Sequence, residues 1–172
     1  GRKGCLIDPY TGMDREYTHK GNYDFLNETR NFVNRTQKTV YVNTHPNTEA
    51  ARMFYGEKDG ELCGYPKPPN RSQSEGGQAF ANRPDDFITI HRLIGHPTFG
   101  YNTHIYVRKV KDTDTGGAVS AIDMPIAFNY NRGLGFTCGG IDALHGHYVA
   151  PEPEFKQIDN NEDFMNPENL PF

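Results

Sequence analysis

The sequence is poor in the residues that mark several protein classes. It contains no tryptophan and three widely spaced cysteines, Cys5, Cys63 and Cys138, with no Cys-x-x-Cys pair to indicate a zinc or redox site. No run of ~18 apolar residues occurs, so no membrane-spanning helix is expected. Basic residues are scattered and the formal net charge is -4, so a positive surface for nucleic acid is not expected either. The cysteines allow one disulfide and one free thiol, or three free thiols.

Glycine, proline and aromatic residues are abundant instead. The 172 residues include 18 Gly, 12 Pro, 10 Tyr and 11 Phe, while 35% are hydrophobic and the mean hydropathy is -0.78. The glycine and proline content predicts many turns and long connections. The length fits one domain, and its thin core would be built largely from aromatic side chains. The scarcity of leucine argues against a helical bundle.

Short β-branched and aromatic stretches separated by turns dominate the predicted secondary structure. Strands are predicted over residues 39–43, 87–93, 104–110, 119–130 and 145–150, and helices over residues 24–33 and 48–55. Strands and helices do not alternate regularly, which favours antiparallel pairing. We therefore predict a mainly β single domain over residues 1–172, an antiparallel β-sandwich or jelly-roll-like fold with one or two short helices and long loops. Residues 1–20 are predicted as an N-terminal arm, residues 57–84 as a long loop, and residues 151–172 as an irregular acidic tail.

Two alternating histidines followed by an acid form the most distinctive motif. His145 and His147 would share one face of an extended strand, because side chains in a strand repeat every two residues. With Gly139 and Glu152, the spacing Gly-x5-His-x-His-x4-Glu resembles the opening half of the cupin metal motif, although the later glycine and the second cupin motif are missing. The resemblance implies one divalent metal ion bound by both histidines and the acid inside a small β-barrel. We place the candidate metal ligands at His145, His147 and Glu152, with His91 or His104 as a fourth ligand. The alternative is a polar strand with two solvent-facing histidines and no cofactor.

Two further constellations could carry chemistry. His147 and Asn169 resemble the His…Asn half of the His-Asn-His nuclease motif, which implies metal-assisted activation of water, although the net charge is acidic rather than basic. Cys138 is followed by two glycines and then by His145, and a thiolate with a histidine base and backbone N–H donors would suit a deamidase or transferase. The alternative for Cys138 is a small buried core residue.

Tyrosines beside glycine, asparagine or proline favour a binding surface. Tyrosine supplies rigid contact area and a hydroxyl at low entropy cost, although it can also pack a loop onto the core. The candidate binding residues are Tyr65, Tyr101, Asn102 and Tyr148. They indicate a non-enzymatic structural or recognition module whose loops and arms contact other protein subunits, copies of itself, or glycans. A metal-dependent enzyme at the His-x-His motif is the second hypothesis, and a Cys138-dependent deamidase or transferase is the third.

No residue pattern fixes the compartment. Sequons occur at Asn27, Asn34 and Asn70, and they are glycosylation sites only if a glycosylating cell secretes the chain. Among compartments we favour a secreted, extracellular or virion location.

Overall fold

A five-stranded antiparallel sheet and one long helix dominate the architecture. The computed structural model describes residues 4–121, 124–131, 133 and 135–147. The strands are β1 (Gly4–Ile7), β2 (Thr39–Val42), β3 (Phe87–His91), β4 (Asn102–Lys109), β5 (Ile126–Asn131), β6 (Gly135–Cys138) and β7 (Ile141–Asp142). The helices are α1 (His19–Thr36), α2 (Gln78–Asn82) and α3 (Thr113–Gly116), and 3-10 segments cover Tyr10–Gly12, Ala50–Arg52, Glu57–Leu62 and Arg71–Gln73.

The strands form two sheets. β3 to β7 lie side by side in chain order, every pair antiparallel, whereas β1 and β2 pair in parallel as a separate sheet. The prediction of a mainly β protein with an antiparallel sheet is therefore confirmed. The sandwich or jelly-roll arrangement is not confirmed and stays a prediction.

The helix predicted over residues 24–33 is confirmed and is longer than expected. It begins after Thr18, whose side-chain oxygen accepts a hydrogen bond from the Gly21 N–H at 3.0 Å. It ends at Thr36, and the next residue, Gln37, adopts a left-handed φ of 55° while its N–H donates to the Val33 carbonyl. Thr18 therefore caps the helix. The first turns were missed because Gly21 and Asn22 are poor helix formers.

Tyr10 sits at the centre of a small core between α1 and α2. Its side chain is 1% exposed, and its ring lies 4.6 Å from that of Phe80, centroid to centroid. Leu26 and Ala79 are buried with them. The Tyr10 hydroxyl donates to Asn22 Oδ1, so this core joins the N-terminal segment to the helix.

The N-terminal segment is packed rather than free over its described part. Cys5 pairs with Val40 in the parallel β1–β2 ladder, and the Tyr10 N–H donates to the Asn43 carbonyl at 2.8 Å. The expectation of an arm over residues 1–20 is therefore wrong for residues 4–12. The missed cause is a long-range one, because the strand partner lies more than thirty residues away along the chain.

The helix predicted over residues 48–55 is wrong apart from one 3-10 turn, Ala50–Arg52. Met53 is extended and its carbonyl accepts from the Lys67 N–H at 2.9 Å, while the Tyr55 N–H donates to the Tyr65 carbonyl at 2.9 Å. Phe54 forms an antiparallel bridge with Pro66 between these two hydrogen bonds. Pairing with a distant segment satisfies the backbone groups that a second helical turn would have satisfied.

The long loop expected over residues 57–84 contains short helical segments and part of the core. α2 contributes Ala79, Phe80 and Ala81, all buried. Gln73 and Ser74 are buried polar residues of the same stretch. This stretch is therefore not a free loop, and the burial of α2 is what anchors it.

The second half of the chain follows the predicted strands only in part. β3 and β4 match the predictions, but the strand expected over residues 119–130 is reduced to β5, which starts just after Pro125. Proline lacks the N–H that a ladder requires, which accounts for that boundary. β6 and β7 were not predicted. The strand expected over residues 145–150 is wrong for its described residues, 145–147, which lie in or just after a turn with Gly146 at a φ of 71°.

The two faces of the five-stranded sheet differ in chemistry. Strand alternation and the pairing register put Thr89, His91, Tyr106, Thr137 and Asp142 on one side, here called the polar face. Part of it is covered: the Thr89 hydroxyl donates to the Pro69 carbonyl at 3.0 Å, and His91 Nε2 lies 3.1 Å from the Pro66 carbonyl oxygen. Within the described ranges, no helix combines the length and apolar character that crossing a bilayer requires.

Candidate functional site

A carboxylate and two imidazoles converge at the end of β7. Asp142 Oδ2 lies 3.0 Å from His145 Nδ1 and 3.9 Å from His147 Nε2. The three potential ligand atoms all lie within 4.8 Å of one another. Asp142 is nearly buried while both histidines are exposed, so the group opens to solvent on the imidazole side.

The turn after β7 holds the carboxylate in place. Asp142 Oδ1 accepts hydrogen bonds from the Leu144 N–H at 2.7 Å and the His145 N–H at 2.9 Å. The Asp142 N–H in turn donates to the His147 carbonyl at 2.9 Å, which folds residues 142–147 into a closed loop. Because the backbone engages Oδ1, Oδ2 is left to face the two rings.

These hydrogen bonds favour the ionised carboxylate. They lower the pKa of Asp142 to about 2, the His145 side chain contributing most and the backbone N–H groups of His145 and Leu144 following. The group is therefore a carboxylate at neutral pH, the form that binds a metal or pairs with a cationic imidazole.

The structure groups only part of the predicted metal set. His145 and His147 do come together, with rings 5.9 Å apart between centroids. His91 and His104 face each other on β3 and β4 and do not join them. At ~4.8 Å per strand, His104 is about 14 Å and His91 about 19 Å from β7 across the sheet. Glu152 lies outside the described residues, so its role stays a prediction.

Asp142 is the member of the group that the sequence interpretation missed. The sequence contains the spacing Asp-x-x-His-x-His, in which Asp142 precedes the two histidines. The cupin-like pattern has its acid after the histidines, so it pointed to Glu152 instead. The signal that could have found it is the turn itself, since an aspartate often accepts hydrogen bonds from backbone N–H groups two or three residues later.

The proposed Cys138–His145 pair receives no support from the sheet register. Cys138 pairs with Ile141 whereas Thr137 pairs with Asp142, so Cys138 points to the opposite face from Asp142. His145 contacts Asp142 through its ring. All three cysteines are free thiols in the structure.

The opposite side of the five-stranded sheet, here called the apolar face, is an exposed hydrophobic surface. Its hydrophobic residues are Ile88, Ile90, Ile105, Val107, Ile126, Phe128, Tyr130, Phe136 and Ile141, and the register puts Thr103 and Cys138 on the same side. Ile90 is 68% exposed, Ile126 on the central strand is 45% exposed, and Phe136 is 44% exposed. Tyr130 and Phe136 touch across β5 and β6 with ring centroids 5.4 Å apart. The described residues thus cover part of the polar side of the sheet and leave its apolar side open.

The area of the apolar face is large for a monomer. Six of its members are exposed by roughly half, which amounts to on the order of 500 Å² of apolar side-chain surface. The largest apolar patch of a typical monomer is about 300–600 Å² and is often functional. The sequence carried this signal as alternating apolar residues in β3, β4 and β5, but not the side on which the covering segments would pack.

The candidate binding residues differ in how far they are exposed and in what they contact. The Tyr65 ring lies tilted against that of His96, with centroids 4.8 Å apart, and its hydroxyl donates to the Gly95 carbonyl at 3.3 Å, so Tyr65 packs its loop onto the domain. Tyr101 is 72% exposed just before β4, and Asn102 begins β4 opposite Asn129. Tyr148 and Asn169 lie outside the described residues.

Comparison with known proteins adds no family to these observations. A scan against protein-family models finds no match to the chain, and a search of curated proteins finds none either.

Proposed function

We propose that the protein is a non-enzymatic structural or recognition subunit that binds another protein through the apolar face. The main observation that supports this proposal is the open hydrophobic side of the five-stranded sheet, where Ile126 is exposed on the central strand. A sheet normally buries its apolar side against a second layer, because exposed apolar surface is costly in water. A protein partner supplies such a layer.

The chemistry of the apolar face favours a protein over a glycan. Eight of its nine hydrophobic residues are aliphatic or phenylalanine and carry no hydrogen-bonding group apart from the backbone, whereas sugar hydroxyls need polar partners. The glycan reading rested partly on Tyr65, whose ring and hydroxyl are engaged by His96 and Gly95. For such a subunit we favour a secreted, extracellular or virion location.

Hydroxyl-radical footprinting at high dilution tests this proposal. Tyr130 and Phe136 should react strongly in dilute protein and become protected when the protein assembles, because the same rings then lie in an interface. Tyr41, which is 60% exposed on β2, is the control and should stay reactive throughout. Protection of Tyr130 and Phe136 in protein that sediments as a monomer would mean that the chain covers its own sheet, and the proposal would fail.

A metal-dependent enzyme is the second candidate function, favoured by the Asp142, His145 and His147 group. Two imidazole nitrogens and one carboxylate oxygen suit zinc or another first-row divalent ion, and three protein ligands leave a position open for water or substrate. Ligands bound to zinc at ~2.0–2.2 Å lie roughly 3.3–3.5 Å apart. The separations of 3.0 and 3.9 Å from Asp142 Oδ2 are close to this geometry, and all three ligand atoms lie within 4.8 Å of one another, so binding requires the side chains to rotate closer together.

Calorimetric titration with Zn²⁺ tests the metal candidate. His147→Ala should weaken binding by more than about 100-fold, beyond the 10–100-fold typical of losing an outer-sphere partner. His45→Ala, an exposed histidine outside the group, is the matched control and should bind like the wild type. Equal affinity in the His147→Ala and His45→Ala proteins would exclude the site.

A further inference from the structure

We infer that the partner on the apolar face is a second copy of this chain, so that two sheets stack face to face in a symmetric dimer. This inference rests on the proposed protein-binding function and names its partner. The second copy supplies the second layer that a sandwich needs, with one sheet from each subunit.

Charge is the first argument for a copy of the chain as partner. The chain has a formal net charge of -4, so two copies repel each other through most of their surfaces. No residue of the apolar face is charged. Two copies can therefore approach closely through this face without placing like charges opposite one another.

Shape is the second argument. Sheets twist with a fixed hand, and two identical twisted sheets pack with their strands about 30° apart and their backbones about 10 Å apart. A two-fold axis that lies midway between the two sheets and passes over Ile126 on the central strand, β5, would place Ile126 of each subunit near the same residue of its partner. Side chains that are roughly half exposed in one subunit can interdigitate with those of the other.

Area is the third argument. The apolar face offers on the order of 500 Å², and a standard interface buries about 800 Å² per partner. The polar rim that surrounds most interface cores accounts for the remainder. The face is thus the right size for the hydrophobic core of one dimer interface.

The experiment measures the mass of the full chain by sedimentation across a concentration series. A mass of twice 19.5 kDa is expected, with Ile126→Lys weakening dimerisation by more than about 100-fold because each dimer would bury two like charges. Asn129→Lys adds the same charge on the same strand but on the polar side, and it should dimerise like the wild type. Ile90→Lys, at a residue that is 68% exposed, repeats the test where the substitution is least able to disturb folding.

The outcomes separate this inference from the proposed function. A monomer whose Tyr130 and Phe136 react freely in footprinting would overturn the second copy as partner while leaving the face open to a different protein. A monomer with both rings protected would overturn the inference and the proposed function together. A dimer that Ile126→Lys and Ile90→Lys leave unchanged would place the contact elsewhere, which also overturns the inference.

Discussion

Replacing Tyr10 with phenylalanine tests whether the N-terminal segment belongs to the core. The Tyr10 side chain is 1% exposed and its hydroxyl donates to Oδ1 of Asn22, which is itself 4% exposed. Asn22 also donates from Nδ2 to the Gly76 carbonyl at 3.1 Å, so its amide links three segments of the chain. Phenylalanine keeps the ring packing and removes only the hydroxyl.

The expected cost follows from the unpaired acceptor. A buried acceptor that loses its donor destabilises a protein by about 1–3 kcal/mol, whereas the ring contacts with Phe80 and Phe25 persist. We therefore expect Tyr10→Phe to lower the free energy of unfolding by about 2 kcal/mol. In a double-mutant cycle with Asn22→Ala, the two residues should couple by at least about 0.5 kcal/mol.

Urea denaturation monitored by circular dichroism measures these differences. Tyr41→Phe is the matched control, because Tyr41 is 60% exposed, and its effect should stay within about 0.5 kcal/mol. If Tyr10→Phe behaves like Tyr41→Phe, or if the cycle is additive, the Tyr10–Asn22 link does not hold the segment and the reasoning fails.

Two further predictions concern a glycine and two half-buried histidines. Gly76→Ala should lower the free energy of unfolding more than Gly60→Ala. Both glycines have positive φ, but a Cβ at Gly76 would lie 2.5 Å from the Phe80 ring, whereas a Cβ at Gly60 would meet nothing within 4 Å. Equal denaturation midpoints for the two variants would contradict this prediction. Burial lowers the pKa of His91 and of His104 below 6.5, so below about pH 6.5 the unfolded chain binds more protons than the folded one and the free energy of unfolding falls. Replacing both histidines with glutamine should flatten that dependence between about pH 7 and 5 relative to the wild type, and an unchanged slope in thermal unfolding would refute it.

Local patterns were sufficient for the elements whose stability is local. The apolar spacing around Leu26 predicted α1, and the β-branched stretches predicted β2, β3 and β4. These elements depend on side chains close in sequence, which propensity describes. The helix prediction over residues 48–55 failed because Tyr55 and Met53 form backbone hydrogen bonds with Tyr65 and Lys67, which lie ten and fourteen positions away.

The candidate site was also predictable only in part, because some of its residues are close in sequence and others are brought together by the fold. His145 and His147 were identifiable from their spacing, but Asp142 joins them only because the turn after β7 folds back. His91 and His104 looked equally suitable in sequence, and the strand order separates them from that turn. Spacing along a chain does not determine which strands become neighbours.

The sequence by itself determined that the protein is mainly β, that it has the histidine pair, and that several strands alternate apolar with polar residues. Only the tertiary structure decided that Tyr10 is buried, that Asp142 completes the histidine group, and that the alternating residues form an open apolar face. The physical reason is that composition and periodicity act over a few residues, whereas burial depends on which distant segments pack against each side of a sheet.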